Sequence, residues 1–429
     1  VLFDSHIILM KRQRIVIIKL GGSSITDKSQ FETSNPKALE WVRNVISQNI
    51  HHSFLSSSAS HVNGNDNVND NGITVSNNPN DNATKDKPAF IIIHGAGSFG
   101  HYHAKQFGLK GETAPPSEES FPQMSKSLNH YMTGLAHTRN SVKTLNNIVV
   151  SALLSPTTYT DPTDATDNSN DSTEAQISNN SSYTKIINAI GISPCMNIPS
   201  LQSYGGDEHA VSILIQSIQE ALSVGLVPVL HGDAGLYGFF NDKNNQNVMM
   251  KSGILGGDTL VEIIATSPLW HNNNNNNINS TSTINNDGSN KMEQVIDKVI
   301  FLTDVDGVYT KDPNLFPEEA KLLRTIDIDP STGEIDSVEM QGEKGDLVGN
   351  GKRTLATDVG TLEVIGSSHA HDVTGGLKAK LGSAAVVAKT GIDVKIVRCC
   401  SKTAEQTIQE LHDSDIDLGT TITRKKRKS

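Results

Sequence analysis

Short, nearly continuous runs of Ile, Val and Leu alternate along this chain with segments whose apolar residues recur at helical spacing. The runs Ile15–Leu20, Ala89–His94, Leu226–His231, Val299–Thr303 and Val394–Val397 hold too few polar positions for a strand with one wet face. They read as strands covered on both sides. Lys37–Gln48, Asp207–Val224, Asp258–Ala265, Ala379–Thr390 and Thr403–His412 read as helices. This alternation predicts an α/β fold with a largely parallel sheet, and no internal repeat is visible.

Three tracts break the pattern. Residues 56–87 are rich in Ser, Asn and Asp, residues 157–183 in Thr, Asp, Asn and Ser, and residues 271–292 include six consecutive asparagines. Such stretches bury too little apolar surface to offset the entropy of ordering them. They read as surface-loop expansions, which cost little because loop-closure entropy grows slowly with length. The patchy stretch 241–250 reads as a further insert, and residues 424–429, with Arg424 to Lys428 all basic, as a solvated tail.

The chemistry gathers where the strands end. Four of them run into turns rich in small residues: Gly21-Gly22-Ser23-Ser24, Gly95-Ala96-Gly97-Ser98-Phe99-Gly100, Gly232-Asp233-Ala234-Gly235 and Asp304-Val305-Asp306-Gly307. Ligands of open α/β sheets sit beyond the carboxyl ends of strands, so four such turns point to one extended phosphate site.

Each turn also has a competing reading. Gly95 to Gly100 satisfies G-x-G-x-x-G, but the next segment, GETAPPSEESFPQ, places Glu118 and Glu119 in a proline-rich loop instead of at a strand end. This argues against a nicotinamide-nucleotide site. The P-loop pattern G-x-x-x-x-G-K-[ST] is absent. Asp304 to Gly307 lacks the distal glutamate of a calcium loop, and His101/His103 and His369/His371 have no cysteine or further histidine cluster to complete a zinc site. No metal-ligating residue is singled out. Lys19 ends an apolar strand, where a buried ammonium needs anions beside it, and Lys28 comes after the first glycine turn. Near the C-terminus, Thr374-Gly375-Gly376-Leu377-Lys378-Ala379-Lys380 opens a helix whose N-terminus suits an anion.

Composition narrows the class. The chain has 429 residues, 36% of them apolar, with 34 glycines, enough for a large core and two or three domains' worth of length. Net charge is −11, which argues against a general nucleic-acid binder. Three cysteines, with Cys399 and Cys400 adjacent and Cys195 remote, cannot build a disulfide framework and suggest a reducing compartment. No apolar run approaches bilayer-spanning length, and the first ten residues lack a signal-peptide pattern. They read as an extension before a start at Met10, so a cytoplasmic protein is expected.

In order, the segments KLGGSSITDK, HGAGSFGH, VPVLHGD, ILGGDTLVEIIA, TDVDGVYTKDP and DVTGGLKAK resemble the amino acid kinase superfamily and, within it, the isopentenyl phosphate kinases. The narrower resemblance rests mainly on HGAGSFGH and its closing His101. It implies a three-layer αβα sandwich with a largely parallel central sheet in two lobes. Residues 10–235 would bind the acceptor phosphate and residues 236–423 ATP.

The implied reaction is ATP- and magnesium-dependent phosphorylation of isopentenyl phosphate by a homodimer. By motif, Lys19, Lys28 and Lys380 resemble the family's catalytic lysines, and Asp258 an aspartate that orients them. Gly21, Gly22, Ser23 and Gly97 resemble ATP-phosphate contacts. Ala96, His101, Gly232 and Asp233 lie on the acceptor side, and His101 doubles as a catalytic phosphate ligand. Asp304, Gly307, Tyr309 and Gly376 resemble the nucleotide loop and clamp. Kinases of the same superfamily acting on a carboxylate, carbamate, uridylate or phosphonate stay open as alternatives, as does a catalytically silent nucleotide-binding protein.

Overall fold

The computed structural model describes residues 14–50, 88–109, 121–160, 182–194, 208–241, 248–270, 296–340 (except 312 and 314), 376–409 and 419–425. Several expectations fall outside these residues: the start at Met10, the tracts 56–87 and 271–292, Glu118 and Glu119, Cys195, the pair His369/His371, Thr374 and Gly375.

In chain order the elements begin with β1 (Ile15–Leu20), α1 (Gly22–Ile25), α2 (Pro36–Asn49), β2 (Ala89–His94), α3 (Gly97–Gln106) and α4 (Phe121–Leu154). Next come β3 (Thr157–Thr160), β4 (Ser182–Lys185), β5 (Ala189–Ile192), α5 (Glu208–Ser223), β6 (Val227–His231), β7 (Asp233–Asn241), β8 (Val248–Leu255) and α6 (Gly257–Ala265). The remainder is β9 (Ile296–Thr303), β10 (Val308–Tyr309), β11 (Leu322–Ile328), β12 (Ile335–Met340), α7 (Gly376–Lys389), β13 (Asp393–Arg398), α8 (Lys402–Gln409) and β14 (Thr420–Arg424).

One sheet runs β10-β11-β14-β13-β9-β1-β2-β6-β5, with β12 on β11. The stretch from β13 to β5 is parallel throughout, while β14 enters antiparallel to β13, and β10 and β12 antiparallel to β11. β1 lies at the centre, flanked by β2 from one half of the chain and β9 from the other.

Side chains alternate across each strand, and both faces are covered. Ile15 and Ile17 of β1 pack with Leu214, Ile218, Leu260, Ile264, Ala384 and Val387 of α5, α6 and α7. Val16, Ile18 and Leu20 pack on the opposite face with Leu39, Val42, Ile46, Leu145, Val149 and Ile408 of α2, α4 and α8. The result is the expected three-layer αβα arrangement. α2 begins where Asn35 accepts a 3.2 Å bond from the Ala38 N–H and Pro36 supplies the first helical residue, a pairing that satisfies an N-terminal donor without losing one. Among the described residues no helix is long and apolar enough to cross a membrane.

Three expectations are corrected. The tract 157–183 is not loop at its ends: Thr157–Thr160 and Ser182–Lys185 form an antiparallel ribbon, held against α2 by the Tyr159 hydroxyl, which contacts Ser47 Oγ and the Asn44 carbonyl. Alternating Thr and Tyr favour strand over coil even in a polar tract. The basic end is not wholly a solvated tail either. Arg424 closes β14, the Lys425 N–H bonds Ile328 O at 3.0 Å, and its ammonium pairs with Asp336. The patchy stretch 241–250 belongs to the hairpin β7–β8, of which residues 242–247 lie outside the described set.

Candidate active site

Parallel register brings the strand ends level. Leu20 lies beside His94 and Leu302, and His94 beside His231. The turns after β1, β2, β6 and β9 therefore emerge along one edge of the sheet.

The first two turns touch. A Cβ on Gly22 would come within 2.5 Å of the Gly97 nitrogen, and Gly97 has φ +50° with Thr26 Oγ1 2.2 Å from any added Cβ. Only glycine permits this approach and this left-handed backbone. The N–H groups of Gly22, Ser23, Ala96 and Gly97 meet no backbone acceptor among the described residues, and together they offer donors suited to an anion. Gly21 differs, because its N–H bonds Leu302 O at 2.7 Å.

β1 alternation places Lys19 on the face of Ile15 and Ile17, towards α6 and α7. It is 4% exposed, and its ammonium pairs with Asp258 Oδ1 in the first turn of α6. Lys380, from the second turn of α7, lies 3.9 Å from the other oxygen, Asp258 Oδ2. One carboxylate thus stands between two ammonium groups drawn from distant parts of the chain. Gly257 lets this happen, since its Cβ position is 3.5 Å from Lys19 Cε and 3.2 Å from His94 O.

Lys19, Lys28, Lys380, Asp258 and His101 all line one cavity of about 100 Å³, together with Gly22, Ser23, Ala96, Gly97, Gly232 and Asp233. Its apolar lining includes Ala104 of α3, Val142 of α4 and Ile254 of β8. Asp233 is fully buried and its charge is met by Arg139 of α4, Nη1 to Oδ2 3.1 Å, with Arg139 also donating to Ala234 O at 3.3 Å.

Asp304 lines an adjoining cavity with Ser23, Thr26, Lys28 and Tyr102. Burial raises its carboxyl pKa, but the Lys28 ammonium and hydrogen bonds from Thr303 and Ser23 outweigh that and hold it below the usual value. Tyr102 donates to the Lys28 carbonyl at 3.0 Å, fixing the loop that carries this lysine.

Gly307 and Tyr309 line neither of these two cavities. A Cβ on Gly307 would meet Thr420 Oγ1 at 2.5 Å, and Tyr309 donates to Asp306, whose carboxylate is gripped by Arg398 at 2.7 and 3.1 Å. Gly376 opens α7, one turn before Lys380.

Sequence pattern alone singles out neither Arg139 nor Thr138. Both lie on α4, a helix that comes after a proline-rich segment and that the apolar spacing does not predict. Thr138 is buried on the cavity wall, and its hydroxyl has no partner among the described residues.

A sheet edge with paired glycine turns, a lysine–aspartate–lysine bridge and a buried histidine is an arrangement for holding anions. The amino acid kinase family model matches residues 14–267 and 294–398, and the chain belongs to that family. It is 27% identical over 423 residues to an isopentenyl phosphate kinase of Arabidopsis thaliana, covering 95% of this chain and 94% of that one. It is 24% identical to an isopentenyl phosphate kinase of Methanothermobacter thermautotrophicus, covering 72% and 76%. A solved isopentenyl phosphate kinase structure covers 96% of this chain and 100% of its own, at 21% identity and a TM-score of 0.50.

Proposed function

We propose that this protein transfers the γ-phosphoryl group of ATP to isopentenyl phosphate, giving isopentenyl diphosphate by direct in-line displacement. The observation that carries the reading is the single cavity onto which Lys19, Lys28, His101, Asp258 and Lys380 converge from separate strands, loops and helices. The named relatives supply the acceptor's identity.

An alkyl monophosphate is largely dianionic near neutral pH, so its oxygen attacks without a general base. The difficulty is bringing two anions together, and phosphoryl transfer is helped chiefly by positioning and neutralisation. Lys19 and Lys380, kept apart and aligned by Asp258, meet charge developing on the transferred group. Lys28 approaches from the opposite loop. Free N–H groups at Gly22 and Ser23 hold ATP phosphates, with Gly97 beside them, while Ala96 and His101 donate to the acceptor phosphate. The apolar wall of Ala104, Val142 and Ile254 receives the short hydrocarbon chain. Asp233, neutralised by Arg139, holds the Gly232 turn in place. In this reading residues 10–235 form the acceptor half and residues 236–423 the ATP half, and in the sheet β1 of the first is paired with β9 of the second.

Among the described residues no group of three His, Cys, Asp or Glu side chains could cage a metal. Magnesium is commonly held mainly by nucleotide phosphates, and Asp304, beside Ser23 and Lys28, is the carboxylate that would reach it here. Magnesium would add charge neutralisation on the phosphates. The homodimer and the cytoplasmic location remain expectations of this reading, tested by sedimentation and cell fractionation.

A panel of acceptors offered with ATP and magnesium tests the assignment: isopentenyl phosphate, dimethylallyl phosphate, UMP, carbamate, N-acetylglutamate and aspartate. ADP release is expected with the isoprenoid monophosphates alone. Turnover of an amino acid, carbamate or UMP in preference to them would overturn the assignment.

A further inference from the structure

Behind the glycine turns, on the face opposite Lys19, two histidines end neighbouring strands. His94 and His231 are register partners on β2 and β6. Both are 0% exposed, and their rings are 5.9 Å apart with planes tilted by 31°. Each makes the same unusual contact: Nδ1 reaches the carbonyl of the next residue, a glycine, 3.0 Å to Gly95 O and 2.9 Å to Gly232 O. A carbonyl can only accept, so the ring proton lies on Nδ1 in both. Nε2 is then a lone pair. It is served in His231 by the Ser193 hydroxyl at 3.2 Å. In His94 it lies 3.1 Å from the Asn146 side-chain oxygen, and turning that carboxamide by 180°, an assignment the hydrogen bonding decides, presents its NH2 to the lone pair. The turns are tied to each other as well, since the Gly232 N–H donates to His94 O at 2.9 Å.

The peptide group is planar and trans, so its C=O and N–H point in opposite directions. Pinning Gly95 O to the His94 ring sends the Ala96 N–H away from that ring. Ala96 lines the anion cavity, and among the described residues its N–H meets no backbone acceptor. Gly232, whose carbonyl is pinned the same way, lines the cavity too.

We propose that His94 and His231 are a pair of positioning residues: neutral imidazoles that lock the Gly95–Ala96 and Gly232–Asp233 peptide planes, so that the Ala96 N–H is aimed at the acceptor phosphate and the Gly232 turn is held beside it. Neither ring touches the substrate. Glycine confers freedom on these turns, and the rings remove it again in the one orientation the anion needs. The identity of the acceptor rests on the proposed function; the latch itself requires only an anion in the cavity.

The test exploits side-chain length. Asparagine carries its amide nitrogen where histidine carries Nδ1, and glutamine carries its own where histidine carries Nε2. His94→Asn keeps the bond to Gly95 O, whereas His94→Gln loses it and keeps a polar group towards Asn146. A latch predicts that His94→Asn leaves the KM for isopentenyl phosphate within about threefold of wild type, while His94→Gln raises it about 10²-fold, the scale of a misplaced contact. The KM for ATP should change little in either, and the two melting temperatures should fall together. Equal effects of Asn and Gln, or losses that track melting temperature, would overturn the latch. His231→Asn and His231→Gln repeat the comparison if a His94 variant fails to fold. Inorganic phosphate added to wild-type and His94→Gln protein, followed through the Ala96 amide in ¹H–¹⁵N spectra, separates the latch from the acceptor assignment. A shift confined to wild type supports the latch even if isopentenyl phosphate is not turned over; no wild-type shift contradicts it.

Discussion

Asp258 shows how one residue sets the character of the site. Buried lysines are costly unless an anion answers them, and this single carboxylate answers two. Replacing it by asparagine leaves Lys19 and Lys380 facing each other across a neutral amide. Asp258→Asn is expected to lower kcat by about 10²-fold or more through misaligned lysines. Unchanged kcat in the folded variant would remove the bridge from the mechanism. Lys28→Ala is expected to cost about 10²–10³ in kcat, like loss of one preorganised donor, and near-normal turnover would excuse Lys28. His101→Ala should weaken use of isopentenyl phosphate far more than ATP binding, and an unchanged acceptor KM and kcat would refute its role. Lys19 was legible in the sequence because an ammonium ending an apolar strand demands a reason. Arg139 was not, because an arginine on an amphipathic helix gives no sign that its partner is a buried aspartate far along the chain.

At the scale of elements, the glycine turns convert parallel strands into an anion cradle. The five strands read from apolar runs all exist, and the turns after three of them line the cavity. Their near-continuous Ile and Val pattern reflects coverage on both faces, which is why it was readable. α4 was hidden because its entry segment is proline-rich and its 34 residues mix small, polar and apolar positions. The strands β11, β12 and β14 were hidden too, since strands towards a sheet's edge alternate with polar residues and imitate loops. Gly97 carries the sharpest element-level prediction. Gly97→Ala forces a Cβ into Thr26 at a positive φ, so it should destabilise by about 1–3 kcal/mol and depress turnover beyond what the lost stability explains. A variant with wild-type melting temperature and activity would show that the two turns need not touch.

For the whole molecule, the buried histidine pair links fold and pH. Desolvation lowers the pKa of both rings to about 4, helped in His94 by His231 and Lys19 and in His231 by Arg139 and Lys143, which also disfavour a second proton. In the unfolded chain each titrates near 6.5. Between these values the unfolded state binds more protons, so stability falls as pH is lowered from about 6.5 to about 4, by roughly 3 kcal/mol per ring at the limit. Urea midpoints at pH 7 and 4.5 should show this loss, and replacing His94 by asparagine should flatten it. A pH-independent midpoint over that window would mean the rings are not sealed. Burial of this kind is a property of the assembled layers. No local pattern around His94 or His231 separates a buried imidazole from an exposed one.

The central claim is that two anions occupy one cavity together and react directly. Initial rates with ATP and isopentenyl phosphate both varied test it most simply. Direct transfer requires both substrates bound at once, so double-reciprocal lines should intersect. Parallel lines, with a phosphorylated protein isolable after ATP alone, would show that the group passes through a side chain and would contradict the account.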